Sequence, residues 1–218
     1  MTYEELQKRT DVRTYIKHAD AALCAIGYTE HSLPHVTRVA RTAGGLLLAL
    51  GHPAREIELA KIAGYLHDIG NLVNRHAHSQ SGAIMAFFLL DKLGLSPAET
   101  ATVATAIGNH DEKTGDPVSA VAAALILADK SDVRKTRVRN TDRSTFDIHD
   151  RVNDAVLRSA LKINRARTEL RLELTLDPSR SSVMEYFEIF LDRMILCRRA
   201  AEALSLRFRL SINGQTLL

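Results

Sequence analysis

The chain has 218 residues, 45% of them apolar and 25% charged, with a formal net charge of +3. That length suits one large domain or a domain with an appendage, and the apolar share excludes wholesale disorder. The small net charge does not by itself imply a nucleic-acid partner. Two cysteines, Cys24 and Cys197, stand far apart and out of metal-ligand spacing. This argues against a disulfide scaffold and a thiolate zinc site. With neither a basic-then-apolar leader nor an apolar run of about 18 residues, a cytoplasmic protein without membrane spans is expected. The charge is unevenly spread: residues 130–171 hold 12 Lys/Arg against 6 Asp/Glu, so the rest of the chain is net acidic.

Residues 2–28 carry apolar side chains at helical spacing. A turn at Ser32-Leu33-Pro34 precedes Val36, Val39, Ala40, Ala43, Leu46, Leu47 and Leu50, an amphipathic helix that Gly51 stops. Pro53 suits the first position of a helix running to about His67. A further helix spans about 79–93. Ser96-Pro97-Ala98-Glu99 reads as a capping box opening a helix to about Gly108, and another runs from Ser119 to about Lys130. Six helices and no strand are therefore expected up to about residue 135.

Beyond residue 150 the period changes. Leu157, Ser159, Leu161 and Ile163 alternate with their neighbours, as do Leu170, Leu172, Leu174 and Leu176, on either side of Asn164-Arg165-Ala166-Arg167. Alternation flanking a turn predicts a hairpin. Asp177-Pro178 breaks the second strand. Ser182-Val183-Met184-Glu185 caps a long helix to about Leu204, with Met184, Tyr186, Phe187, Phe190 and Met194 as its packing face, and Phe208, Leu210 and Ile212 form a last strand before Asn213-Gly214. The expected fold is mainly α: a helical bundle over 1–145, then a small C-terminal α+β (ββαβ) module over 150–218 with an antiparallel sheet covered by one helix.

The chemistry gathers around His67-Asp68, placed where a helix ends and where Gly70 can supply the stop. His35, His78, His110 and Asp129 also fall at or near predicted helix termini, which can converge at one end of a bundle. Four imidazoles and two carboxylates suffice for two octahedral metals sharing one carboxylate. A nitrogen and oxygen donor set favours iron or manganese, with cobalt or nickel as further options. Such a pair acidifies a bridging water and clamps the oxygens of a phosphoryl transfer.

His35, Leu66-His67-Asp68-Ile69-Gly70 and Ala128-Asp129-Lys130 resemble the H…HD…D signature of the HD-domain metal-dependent phosphohydrolase superfamily over about residues 18–140. The resemblance implies an all-helical HD domain in which His35, His67, Asp68 and Asp129 hold a first metal. In the dinuclear, six-ligand type, His78 and His110 hold a second and Asp68 bridges. Asn109-His110-Asp111-Glu112-Lys113-Thr114-Gly115 is similar to part of the HD-GYP signature, but Asn109 replaces one histidine and no GYP follows. The implied activity is hydrolysis of a phosphoester or phosphoanhydride bond in a small nucleotide-type substrate by a metal-bridging hydroxide. The alternatives are a di-iron oxygenase on the same ligands and a non-catalytic module that senses nucleotide and metal.

Lys130 and Arg134 are expected to face the metal end and grip phosphate oxygens, with Arg137, Arg139 and Arg38 as further candidates. Asp111 is the candidate general base or partner of a ligand histidine. His31 lies one turn before His35. The expected partner is a small phosphorylated molecule. With an aromatic content of 5%, long nucleic acid ranks below it. A homodimer paired through the C-terminal sheet edge is a further option.

Overall fold

The computed structural model describes residues 1–217. Seven helices precede the sheet module's first helix: α1 (Tyr3–Lys8), α2 (Thr10–Ala25), α3 (Leu33–Leu50), α4 (Ala54–Leu66), α5 (His78–Lys92), α6 (Pro97–Gly108) and α7 (Ala120–Lys130). The expected six become seven because residues 2–28 break at Arg9, whose backbone is extended. Thr2 and Glu5 form a capping box for the short first helix.

The core is organised around α7. Every residue from Val121 to Lys130 is buried, so this helix is apolar on all sides except at its end. It packs on α3, α4, α6 and, from the C-terminal part, α9 (Val183–Ala203). Helices α3 and α4 approach closely at Gly64, where a Cβ would stand 2.7 Å from the Ala40 Cα. The Ser96–Glu99 capping box forms as expected from the sequence, and Ser119, expected to open α7, stands one residue before it as its N-cap.

After a loop with two 3₁₀ turns comes α8 (Ile148–Ala155), which the sequence reading missed. Strands β1 (Val156–Ile163) and β2 (Glu169–Leu176) form the expected antiparallel hairpin; Asn164 Oδ1 accepts from the Thr168 and Glu169 amides to close its turn. Leu170, Leu172, Leu174 and Leu176 are all buried, as their alternation requires. Strand β3 (Arg207–Ile212) corrects the expectation of an antiparallel sheet, because it pairs with β2 in parallel. The reason is the 21-residue α9 between them, a crossover that returns the chain to the end of the sheet where β2 began. Asn213 and Gly214, both at positive φ, then turn the chain into β4 (Gln215–Thr216), giving the order β1-β2-β3-β4.

On α9 the residues Tyr186, Phe190 and Met194 are buried, whereas Met184 is 70% exposed and lies outside the expected packing face. One apolar cluster includes residues from both the bundle and the sheet module. Among the described residues no helix is long and apolar enough to cross a membrane.

Candidate metal centre

His67 is the C-cap of α4, and Asp68 begins the connection to a 3₁₀ turn, Ile69–Leu72. Gly70 does not end α4 through a left-handed conformation, as expected, since its φ is not positive. Its role is close approach. A Cβ on Gly70 would run into the carbonyl of His78 and the amide of Gly82, so the turn lies directly against the first turn of α5. That contact sets His78 beside Asp68. His35 comes from the first turns of α3, His110 from just past α6, and Asp129 from the last turn of α7.

These six side chains meet, and all but the margin of Asp129 are buried. His35 Nε2 lies 3.3 Å from His67 Nε2, 3.5 Å from Asp68 Oδ2 and 3.4 Å from Asp129 Oδ1. His67 Nε2 is 3.2 Å from Asp68 Oδ2 and 3.6 Å from Asp129 Oδ1. Neighbouring ligands on a cation at about 2.1 Å stand roughly 3.0 Å apart in an octahedron and 3.4 Å in a tetrahedron, so these four atoms frame a space of ionic size. On the other side, His78 Nε2 is 3.2 Å from His110 Nε2 and 3.7 Å from Asp68 Oδ1. The two oxygens of Asp68 thus face two different sets of imidazoles.

The donor set fits cations rather than a hydrogen-bonded cluster. Asp68 Oδ2 is buried and accepts from no donor, an expensive state for a carboxylate oxygen unless a cation meets it. The histidine tautomers agree. His67 Nδ1–H donates to the Gly64 carbonyl at 2.9 Å, His110 Nδ1–H to that of Ile107 at 2.6 Å, and His35 Nδ1–H to Asp132 Oδ2 at 2.8 Å. Each bond occupies Nδ1 and turns Nε2 to the centre as the atom that can bind a cation once it gives up any proton, in the manner of outer partners that orient metal ligands. Asn71 Nδ2 donates to Asp68 Oδ1 at 2.9 Å and holds the carboxylate in place. Asp132 and Asn71 were missed in the sequence. Each lies three residues after an acidic candidate ligand, and that spacing was the available signal.

Other expected site residues have different settings. The Lys130 ammonium is buried and shared between Asp129 Oδ2 at 2.7 Å and Glu112 Oε2 at 2.8 Å, so it orients Asp129 instead of offering a free charge to phosphate. Arg134 pairs with Asp132 Oδ1 at 3.0 Å and Glu30 Oε2 at 2.7 Å. Arg38 reaches Asp132 Oδ1 only at 3.4 Å and is largely exposed. Both guanidinia lie behind Asp132, on a separate cavity of about 380 Å³ shared with Arg158 and Ser159 of β1. Asp111 Oδ2 is 3.9 Å from His78 Nδ1, beyond hydrogen-bond reach, and Asp111 Oδ1 accepts from the Lys113 amide. Arg139 pairs with Asp20.

The cavity beside the centre is a different one, of about 380 Å³, lined by His31, Arg75, Arg137 and Arg193 among others. His31 links it to the ligands: its ring meets the His35 ring edge-on with centroids 5.6 Å apart.

Charge is tightly coupled at the centre. Burial disfavours the imidazolium of His67, but Asp68 and Asp129 outweigh it and hold its pKa up to about 10. His35 is also raised, burial and Arg137 opposing, with Asp129, Asp132 and Asp68 prevailing. Burial lowers His110, His31 and His78. Without metal, the unfolded chain protonates these last three below about pH 6.5 while the folded chain keeps them neutral, so stability rises with pH. Above about 6.5, folded His67 and His35 keep protons that the unfolded chain has lost, so stability falls as pH climbs toward 10. In chelator, the thermal midpoint is therefore expected to peak near pH 6.5; a midpoint still rising at about pH 8.5 would contradict this. Added metal should flatten the alkaline limb, because the proton leaves Nε2 when a cation binds.

Comparison with known proteins adds the family. Residues 33–134 match the family model described as HD domain. The chain carries an HD domain over those residues. Within and around the HD domain it is 28% identical over 172 residues to an uncharacterized protein of Methanocaldococcus jannaschii, covering 68% of this chain and 66% of that protein. It is 38% identical over 102 residues to ribonuclease Y of Lawsonia intracellularis, covering 47% of this chain but 18% of the relative. A crystal structure of a predicted HD superfamily hydrolase from an uncultured Thermotogales bacterium aligns with a TM-score of 0.47 at 24% identity, over 62% of this chain and 75% of that one.

Proposed function

We propose that the chain is a metal-dependent phosphohydrolase that cleaves a phosphoester or phosphoanhydride bond of a small nucleotide-type substrate. The observation that carries this reading is the Asp68 carboxylate, with Oδ2 toward His35 and His67 and Oδ1 toward His78. In the proposal His35, His67, Asp68 and Asp129 hold one cation, His78 and His110 with Asp68 a second, and iron or manganese suits the donors best. Bound there, two divalent cations acidify a water and neutralise phosphate oxygens.

The protein's part is positioning. Asn71 fixes the Asp68 plane, Asp132 fixes the His35 tautomer, and Lys130 holds Asp129 Oδ2 so that Oδ1 faces the histidines. Each arrangement exists before a ligand arrives, so no reorganisation is needed when charge develops on the phosphate. The cavity next to His31 has room for a mononucleotide-sized molecule. The similarity to ribonuclease Y favours one second reading, in which the bond cleaved is a phosphodiester in RNA.

Protein purified without added metal is expected to carry two iron or manganese atoms per chain, and to release phosphate or nucleotide from mononucleotides or dinucleotides. Release only from longer RNA would favour the second reading. Iron-dependent oxygen consumption with no phosphate product would overturn both.

A further inference from the structure

The cavity beside the centre draws its walls from both parts of the chain: His31, Arg75, Glu112 and Arg137 from the HD part and its flanks, Phe190 and Arg193 from α9. Its guanidinia are incompletely matched: among the described residues Arg75 donates only to Asn71 Oδ1, at 3.4 Å, and Arg137 and Arg193 too keep free donors. Arg137 is 6% exposed. Its Nε donates to the Glu30 carbonyl and its Nη1 to the Asp132 carbonyl, both at 2.9 Å. Among the described residues it has no carboxylate within ion-pair distance. The two carbonyls fix the guanidinium in place and leave its charge without a direct counter-ion, a costly state for a buried cation.

Arg193 enters from the opposite wall. Its guanidinium lies over the Phe190 ring, 4.2 Å from the centroid, which holds its plane. Its Nε is buried and has no acceptor. Its Nη2 reaches Glu112 Oε1 only at 3.5 Å, while Glu112 Oε2 is committed to Lys130 at 2.8 Å. The same Lys130 holds the candidate ligand Asp129, so Arg193 stands three charges from the metal centre.

We propose that Arg137 and Arg193 form a recess that binds a phosphate group of the substrate beside the metal centre, which makes α9 of the C-terminal module a working part of the site. The proposal rests on the phosphohydrolase reading and adds to it the residues that recognise the anion. Guanidinium groups meet phosphate through paired N–H donors, and a tetrahedral dianion can take the free donors of both arginines at once. Asp147 and Asp150, also on the cavity wall, offer acceptors to hydroxyl or amino groups on the remainder of the molecule. Arg193 acts by binding substrate, so its loss should appear in affinity and leave the metals in place.

The test is an equilibrium titration of the full chain with inorganic phosphate, once after chelation and once with metal restored. Metal-stripped wild type is expected to bind phosphate saturably, and Arg193→Gln to weaken it about tenfold or more. Arg193→Lys should restore part of the loss, and Arg158→Gln, in the other cavity, none of it. Metal content and helicity of Arg193→Gln should equal wild type, and its substrate KM should rise far more than its kcat falls. Phosphate binding that survives Arg193→Gln unchanged, or that occurs only with metal present, overturns the recess. If phosphate binds as expected but no phosphorylated compound is hydrolysed, the recess stands and the phosphohydrolase reading fails.

Discussion

Asp68→Ala is expected to strip both cations and abolish hydrolysis while the helices stay folded. The side chain stands between the two imidazole sets, with Oδ2 within 3.5 Å of His35 and His67 and Oδ1 3.7 Å from His78. Its removal therefore takes a ligand from both positions at once. Loss of several kcal/mol of transition-state charge stabilisation corresponds to a rate decrease of about 10³-fold or more. The fold should survive, because α3, α4 and α7 are held together by a continuous cluster of buried apolar side chains. Elemental analysis, product release and circular dichroism on one preparation decide the matter. Near-wild-type hydrolysis by Asp68→Ala would remove the proposed mechanism, and unfolding would show that the carboxylate is structural. His110→Ala separates the two positions further, since it should lower metal content by one ion while His35, His67 and Asp129 keep the other.

Gly70→Ala is expected to have the second-largest effect, through geometry alone. The new methyl group would overlap the His78 carbonyl oxygen and the Gly82 nitrogen, main-chain atoms that no rotamer change can move aside. The 3₁₀ turn and α5 must separate, at about 3 kcal/mol or more, which for a chain of this size lowers the melting midpoint by roughly 6–12 °C. Separation also carries His78 away from Asp68 and His110, so the second cation should be lost before the first. Gly45 provides the contrast. It lies inside α3 with open space where a Cβ would go, and Gly45→Ala should stabilise the chain by about 0.4–1 kcal/mol. Equal melting points for the two variants would show that the turn and α5 are not in the close contact described.

Legibility varied with the kind of signal. Capping boxes at Ser96 and Ser182 were readable because a cap is local, a side chain and an amide three residues apart. The leucines of β2 were readable because one buried face imposes a period of two. The break at Arg9 and helix α8 were not, since short polar helices carry little periodicity. The direction of β3 was not readable from alternation, which is the same for a parallel or an antiparallel neighbour; the available signal was the long helix between β2 and β3, a crossover that suits parallel pairing. Lys130 and Arg134 were drawn to an expected phosphate by their position after Asp129. In the folded chain, Glu112 and Glu30, distant in sequence, reach them first.

The sequence by itself singled out His35, His67, Asp68, His78, His110 and Asp129 as candidate metal ligands, because imidazole and carboxylate chemistry and a helix-terminal placement are visible without coordinates. It also determined that a helical part is followed by a strand-rich one. Tertiary structure alone decided that the two oxygens of Asp68 face different imidazoles, that Asp132 and Asn71 set the orientation of the ligands, and that α9 brings Arg193 to the cavity beside the centre. The physical reason is range. Caps, turns and burial periods are settled within a few residues, whereas the 3.4 Å gap between His35 of α3 and Asp129 of α7, or the 3.7 Å gap between His78 and Asp68, depends on how whole helices pack, down to a glycine that lets one turn rest on another.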